Sequence, residues 1–254
     1  MGVHYSTVSR TVRSVSILII RRLKRIYLTN PVAQAEIHAL SNSFQRKCHF
    51  PGVIGAVDCT HIRIASPNVA NRANFINRKN YYSLNCQMIC DTDLKFWNVV
   101  VRWPGSTHDS RIFSNSDIGN KLENGQIRGI LLGDSGYACK PYMMTPILRP
   151  ANIHDRRFNS AQRSTRNVIE RAFGVLKRRF SVLGPDSRMR NSLDTNMAII
   201  VACTILHNIC MLTREVNNFP NPPVRNLQNF NQGIPINPNN RGNAVRQALV
   251  HRYF

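Results

Sequence analysis

Three carboxylates sit where carboxylates are expensive. Asp58 lies inside "GVIGAVDCTHIRIASP" (52–67), Asp134 closes the apolar run "GILLGD" (129–134), and Glu170 belongs to "QRSTRNVIERAFGVLKRRF" (162–180). The chain has only 13 Asp and Glu against 34 Lys and Arg, so acids embedded in apolar segments call for a chemical reason. If the three converge from separate elements they repel one another, and only protonation or bound cations make that tolerable. Hard oxygen ligands select Mg²⁺ or Mn²⁺. Two such ions can clamp the attacking and leaving oxygens of a phosphoryl group in line. Taken alone, Glu170 also reads as one member of an ion-paired surface helix, since Arg163, Arg166 and Lys177 share its face.

The net charge of +21 gives this chemistry a substrate class. A field that positive implies a polyanionic partner, nucleic acid before a membrane surface. Between Arg156 and Arg190 ten cations face only Glu170 and Asp186. Arg163, Arg166, Lys177, Arg178 and Arg179 are the candidate DNA-backbone contacts; the plainer alternative is a solvated helix face.

Other groups could serve the same site. Asp109, with His108, opens an expected helix in "GSTHDSRIF". It reads as a helix cap or as a group behind the metal ligands, with direct ligation in place of Asp58 as the rival assignment. Cys203, His207 and Cys210 share a helix face, but their apolar surroundings favour packing over zinc. His61 should point to the strand face opposite Asp58. Tyr81, Tyr82, Phe96, Trp97 and Trp103 read as core or cross-strand pairs rather than base-stacking platforms. Seven cysteines without a CxxC pair suit a reducing compartment. No run of about 18 uncharged apolar residues stands out, so no membrane span or membrane partner is expected.

The elements that must position these residues form an α/β pattern. Residues 1–30 have helical spacing at Val8, Val12, Val15, Ile19 and Leu23, with six cations before the first acid, Glu36. The opening "GVHYSTVSR" is similar to the turn and recognition-helix start of a helix-turn-helix, whose preceding helix would lie upstream; the same residues also suit a packing helix. Strands are expected over "VIGAVDCTHIRI", over "YYSLNCQMICDTDLKFWNVVVRW" as two strands around a turn at Asp91 to Leu94, over "GILLGD" and over "YMMTPI". Helices are expected over 108–124, 160–182 and 193–214, and over the closing "NAVRQALVHRYF". The expected organisation is an N-terminal helical segment at 1–49, a catalytic domain at 50–215, and an Asn/Pro-rich tail with a short helix at 216–254.

Five blocks in order, "GVIGAVDCTHIRI", "WPGSTHDSRIF", "LLGDSGY" followed by "TPI", "FNSAQRSTRNVIERAFGVLKRRF" and "LHNIC", resemble the PIF/Harbinger-type DDE transposases and the nucleases derived from them. The resemblance implies an RNase H-like mixed sheet flanked by helices. It implies metal-dependent cleavage of DNA phosphodiester bonds, with strand transfer as an extension. It maps the catalytic and metal-binding triad onto Asp58, Asp134 and Glu170, with two divalent ions. It also implies nuclear residence and a separate Myb/SANT-like DNA-binding partner. The alternative from another class is a catalytically silent DNA-binding or partner-docking protein derived from a transposase.

Overall fold

A computed structural model describes residues 2, 4–213 and 241–254. The Asn/Pro-rich stretch expected at 217–240 lies outside the described residues. The centre is a five-stranded mixed sheet in the order β3-β2-β1-β4-β5. Strands β1 (Val53–Arg63), β2 (Ser83–Cys90) and β3 (Phe96–Pro104) form an antiparallel meander, turned at Asp91. Strands β4 (Ile130–Leu132) and β5 (Met143–Met144) add in parallel on the far side of β1. Every residue of β2 is buried, as expected for a central strand covered on both faces.

Helices cover both faces, and the architecture is the RNase H-like α/β fold expected from the sequence. On one face lie α5 (Ile153–Arg179), α6 (Leu193–Leu212) and α7 (Arg241–Tyr253). Phe158, Ile169, Phe173 and Leu176 of α5 join Ala56, Met88 and Leu132 of the sheet in the larger core. On the other face α3 (Asp109–Ser114) and α4 (Asp117–Glu123) bury Phe113, Ile118 and Leu122 against Ile54, Val57 and Trp97. Helix α2 (Gln34–Cys48) sends Ile37 into the smaller core and Phe44 into the larger.

Helix α1 (Tyr5–Tyr27) is part of this fold through α6. Ser9 donates to Asn191 and the Tyr27 carbonyl accepts from Asn208, so the two helices run parallel. The inward face carries Ser16, Ile20, Leu23 and Tyr27, whereas Val8, Val12 and Val15 are exposed. The valines of the expected stripe therefore sit beside the packed face rather than on it. Helix α6 is long and apolar enough to cross a membrane by length and composition alone, which the absence of a conspicuous apolar run in the sequence had not suggested. In the fold it packs against α1, α5 and β3.

Two boundaries differ from the sequence reading. The single helix expected over 108–124 is two helices, because Ser116 accepts from the Gly119 N–H and starts a second one. Helix α5 begins at Ile153, seven residues early, because Asn152 caps the Asp155 N–H while Asp155 takes the Ala151 N–H. Its first two turns are too polar to show a helical stripe.

Candidate active site

The parallel pairing of β1 with β4 positions two of the three carboxylates. Ala56 pairs with Leu132, so Asp58 and Asp134 each lie two residues beyond this last pair, near enough for the Asp134 charge to act on Asp58. Strands lie about 4.8 Å apart, and β4 has by then ended, leaving Asp134 at the start of a loop. Asp134 Oδ1 accepts the Gly136 N–H at 2.9 Å. A Cβ on Gly136 would lie 3.0 Å from that same oxygen, so the glycine allows the backbone to close around the carboxylate.

Helix α5 links the third carboxylate to β1 through Arg166. Gln162 is fully buried and donates from Nε2 to the Gly133 carbonyl at 2.7 Å. One turn later Arg166 Nη1 meets Asp58 Oδ2 at 3.1 Å, and its Nη2 meets Glu170 Oε1 at 3.0 Å. Three turns beyond Arg166, Lys177 Nζ donates to Thr60 Oγ1 at 2.7 Å and to the His61 carbonyl. One face of α5 is thus hydrogen-bonded to the end of β4 and along β1.

Arg166 is the group the sequence reading placed elsewhere. It was expected to face DNA with Arg163, Lys177, Arg178 and Arg179. It is instead buried, with a side chain 7% exposed, between Asp58 and Glu170. Lys177 and Arg179 are also used inward, Arg179 through Nη1 to His207 Nδ1 at 3.1 Å. Arg163 and Arg178 have exposed side chains. The signal for Arg166 was its position four residues before Glu170, which gives a shared face but not a direction.

Burial raises the Asp58 carboxyl to about 7. The Arg166 guanidinium and the Cys59 N–H pull it down, while Asp134 and, more weakly, Asp109 push it up. This is the electrostatics of a carboxylate cluster partly neutralised by one cation. The donor set is all carboxylate oxygen, which suits a hard divalent ion. Among the described residues, however, no three His, Cys, Asp or Glu side chains are grouped closely enough to hold a metal as they stand, and a guanidinium joins Asp58 to Glu170.

Asp109 lies on the other side of the sheet. Its Oδ1 accepts from Asn85 Nδ2 at 2.9 Å, and Asn85 pairs across the strands with His61. Alternation puts Asn85, His61 and Cys59 on the face opposite Asp58. Cys59 Sγ meets Tyr137 Oη there at 3.5 Å, and burial foremost, with the Asp109 charge, holds the thiol well up. The cap of α3 is His108, which accepts the Ser110 N–H. Asp109 thus lacks the capping role. His61 bonds Ser83 Oγ, and burial pushes its ring down to about 4.

His207 on α6 is a structural histidine. Its Nε2 faces the Leu94 carbonyl at 2.8 Å and its Nδ1 accepts from Arg179, a pairing that fixes the neutral tautomer. Cys203 and Cys210 are free thiols on the same helix.

Residues 57–208 match the family model described as DDE superfamily endonuclease. The human protein named "Putative nuclease HARBI1" is 35% identical over 83% of this chain and 60% of its own length. The Xenopus laevis protein of the same name is 28% identical over the whole chain and 73% of its own length. The Arabidopsis thaliana "Protein ALP1-like" is 27% identical over 78% of this chain and 52% of its own length. The chain thus spans about 60% of the human relative it matches. No solved structure matches it. With an RNase H-like sheet and a matching family model over its centre, the chain belongs to the DDE superfamily endonucleases, among the nucleases derived from Harbinger transposases.

Proposed function

We propose that this domain cleaves DNA phosphodiester bonds, using divalent cations held by Asp58, Asp134 and Glu170. The observation that supports the reading is that Arg166 of α5 links Glu170 to Asp58 on β1, with Asp134 just past the end of the neighbouring β4, in a chain whose net charge is +21. Divalent ions bound there would supply Lewis acidity at the scissile phosphate and a lowered pKa for attacking water.

The chain's own residues have separable tasks. Asp58 and Asp134 bind, oriented by the Cys59 and Gly136 N–H groups. Glu170 closes the site from α5. Gln162 and Lys177 fix the height and rotation of that helix against the strands. No side chain has to act as nucleophile; water serves in cleavage and a DNA 3′-OH in strand transfer. Arg163 is exposed in a groove with Arg156, Ser160, Ser164 and Asn167, a surface suited to a phosphate backbone. Nuclear residence and action beside a separate Myb/SANT-like DNA-binding protein belong to the same proposal, with Mg²⁺ or Mn²⁺ as the ions.

Nicking of supercoiled plasmid in Mn²⁺ tests this. Asp134→Asn should reduce cleavage by at least about a hundredfold, while DNA affinity stays level or rises because one negative charge is gone. Cleavage retained by that variant would sink the triad. Strong salt-sensitive DNA binding with no metal dependence would favour the silent, partner-docking alternative.

A further inference from the structure

Three of the four carboxylate oxygens that a divalent ion joining Asp58 to Glu170 could use have partners in the structure. Asp58 Oδ1 accepts the Cys59 N–H, and its Oδ2 receives Arg166 Nη1 at 3.1 Å. Glu170 Oε1 receives Arg166 Nη2 at 3.0 Å. One guanidinium thus links the two side chains through its two terminal nitrogens. It is held in place: Arg166 is buried on the inner face of a helix anchored one turn earlier by Gln162 and further on by Lys177.

An arginine cannot be deprotonated here, so its charge is permanent. A divalent ion and a guanidinium cannot share the same lone pairs at ligand distance; the first requires about 2.0–2.2 Å to oxygen, and the second sits in the space this would occupy. Electrostatically, a positive charge of one next to a positive charge of two opposes binding of the second.

We propose that Arg166 is a built-in counter-ion of the carboxylate site, and that it competes with the catalytic cation for Asp58 Oδ2 and Glu170 Oε1. It is a positioning residue. It keeps two mutually repelling carboxylates folded together, and metal loading requires it to release Asp58. Loading therefore becomes less favourable than the carboxylates alone would make it, which biases the site toward filling when something else, such as a DNA phosphate, offers the displaced guanidinium a new partner.

The inference rests on the metal-site reading above, and the test separates the two. Mn²⁺ is titrated calorimetrically into wild type, Arg166→Gln, Arg166→Lys and Asp134→Asn, and each protein is melted in EDTA and in Mn²⁺. Arg166→Gln should bind Mn²⁺ about tenfold or more tightly than wild type, a change of about 1.4 kcal/mol or more. It should melt lower in EDTA and gain more from Mn²⁺. Arg166→Lys, which keeps the charge but loses the two-pronged geometry, should fall between and guards against a Gln variant that fails to fold. A structural role alone would lower the melting temperature without raising metal affinity. Equal or weaker Mn²⁺ binding by both Arg166 variants, with binding lost in Asp134→Asn, overturns the counter-ion role and leaves the metal site standing. If Asp134→Asn binds as wild type does, or if neither wild type nor the Arg166 variants bind, the metal reading fails and this proposal fails with it.

Discussion

At the scale of single residues, pH dependence divides between groups that oppose one another. Burial, more than the nearby Arg179 charge, lowers the His207 ring to about 4, against the pull of its bond to Leu94. In the unfolded chain it titrates near 6.5. The folded state therefore loses ground as pH falls from about 6.5 to about 4, by up to roughly 3 kcal/mol for this group. Asp58 works in the other direction: its carboxyl, raised to about 7, makes folding less favourable as pH rises from about 4 to 7. The His207 contribution is isolated by comparing denaturant unfolding of wild type and His207→Gln across pH 4–7. The variant should be less stable throughout but should lack the acid-side decline. A ring titration near 6.5 in NMR spectra of the folded protein would contradict the pairing described for Nδ1 and Nε2.

The same scale shows what residue types reveal. Asp58, Asp134 and Glu170 stand out because acids are rare in this chain and two of them interrupt apolar strands. The direction of Arg166 was not legible, because its partners on β1 and α5 are set by how α5 crosses the sheet. Asp109 was ambiguous for a similar reason: strand alternation separates it from Asp58, and nothing local to "THDS" states which face of the sheet the loop returns to.

At the scale of elements, two buried amides hold the layers in place. Asn208 donates to the carbonyls of Tyr27 and Phe96 and accepts the Phe96 N–H, tying α6 to both α1 and β3. Asn208→Ala should cost about 2–4 kcal/mol, since it strands buried backbone groups; urea unfolding measures it. Gln162→Leu keeps the volume but removes the donor to the Gly133 carbonyl beside Asp134. We expect a loss of about 1–3 kcal/mol and, separately, weaker Mn²⁺ binding, because the loop carrying Asp134 and the helix carrying Glu170 are no longer joined. Strands and long helices were readable from apolar periodicity. The break at Ser116 and the early start of α5 were not, because caps at both places act through short polar side chains that leave the hydrophobic pattern unchanged.

At the scale of the whole molecule, charge dominates. With 34 cations against 13 acids, DNA binding should be driven by release of condensed counterions. If six to ten phosphates are contacted, affinity should fall by about 10³ to 10⁵ between 50 and 200 mM salt, as fluorescence anisotropy with duplexes of unrelated sequence can measure. In EDTA, Arg163→Ala should make that slope shallower by about one, whereas Arg166→Gln should leave it nearly unchanged, since without a metal that cation stays paired inside the protein. Salt slopes alike for the two variants would place both cations at the DNA.

The polar face of α5 has a consequence for how such a chain can change over generations. Gln162, Arg166 and Lys177 meet the sheet or its strand ends at intervals of one and three turns, so the helix is keyed to the strands by phase. Point replacements on its outer side alter charge and little else. A single inserted or deleted residue between Gln162 and Lys177 would turn everything after it by about 100°. The helix would survive, but the lysine would face away from its strand. Length changes should therefore collect in the loops before Asn152 and after Phe180, while this stretch keeps a fixed count of residues.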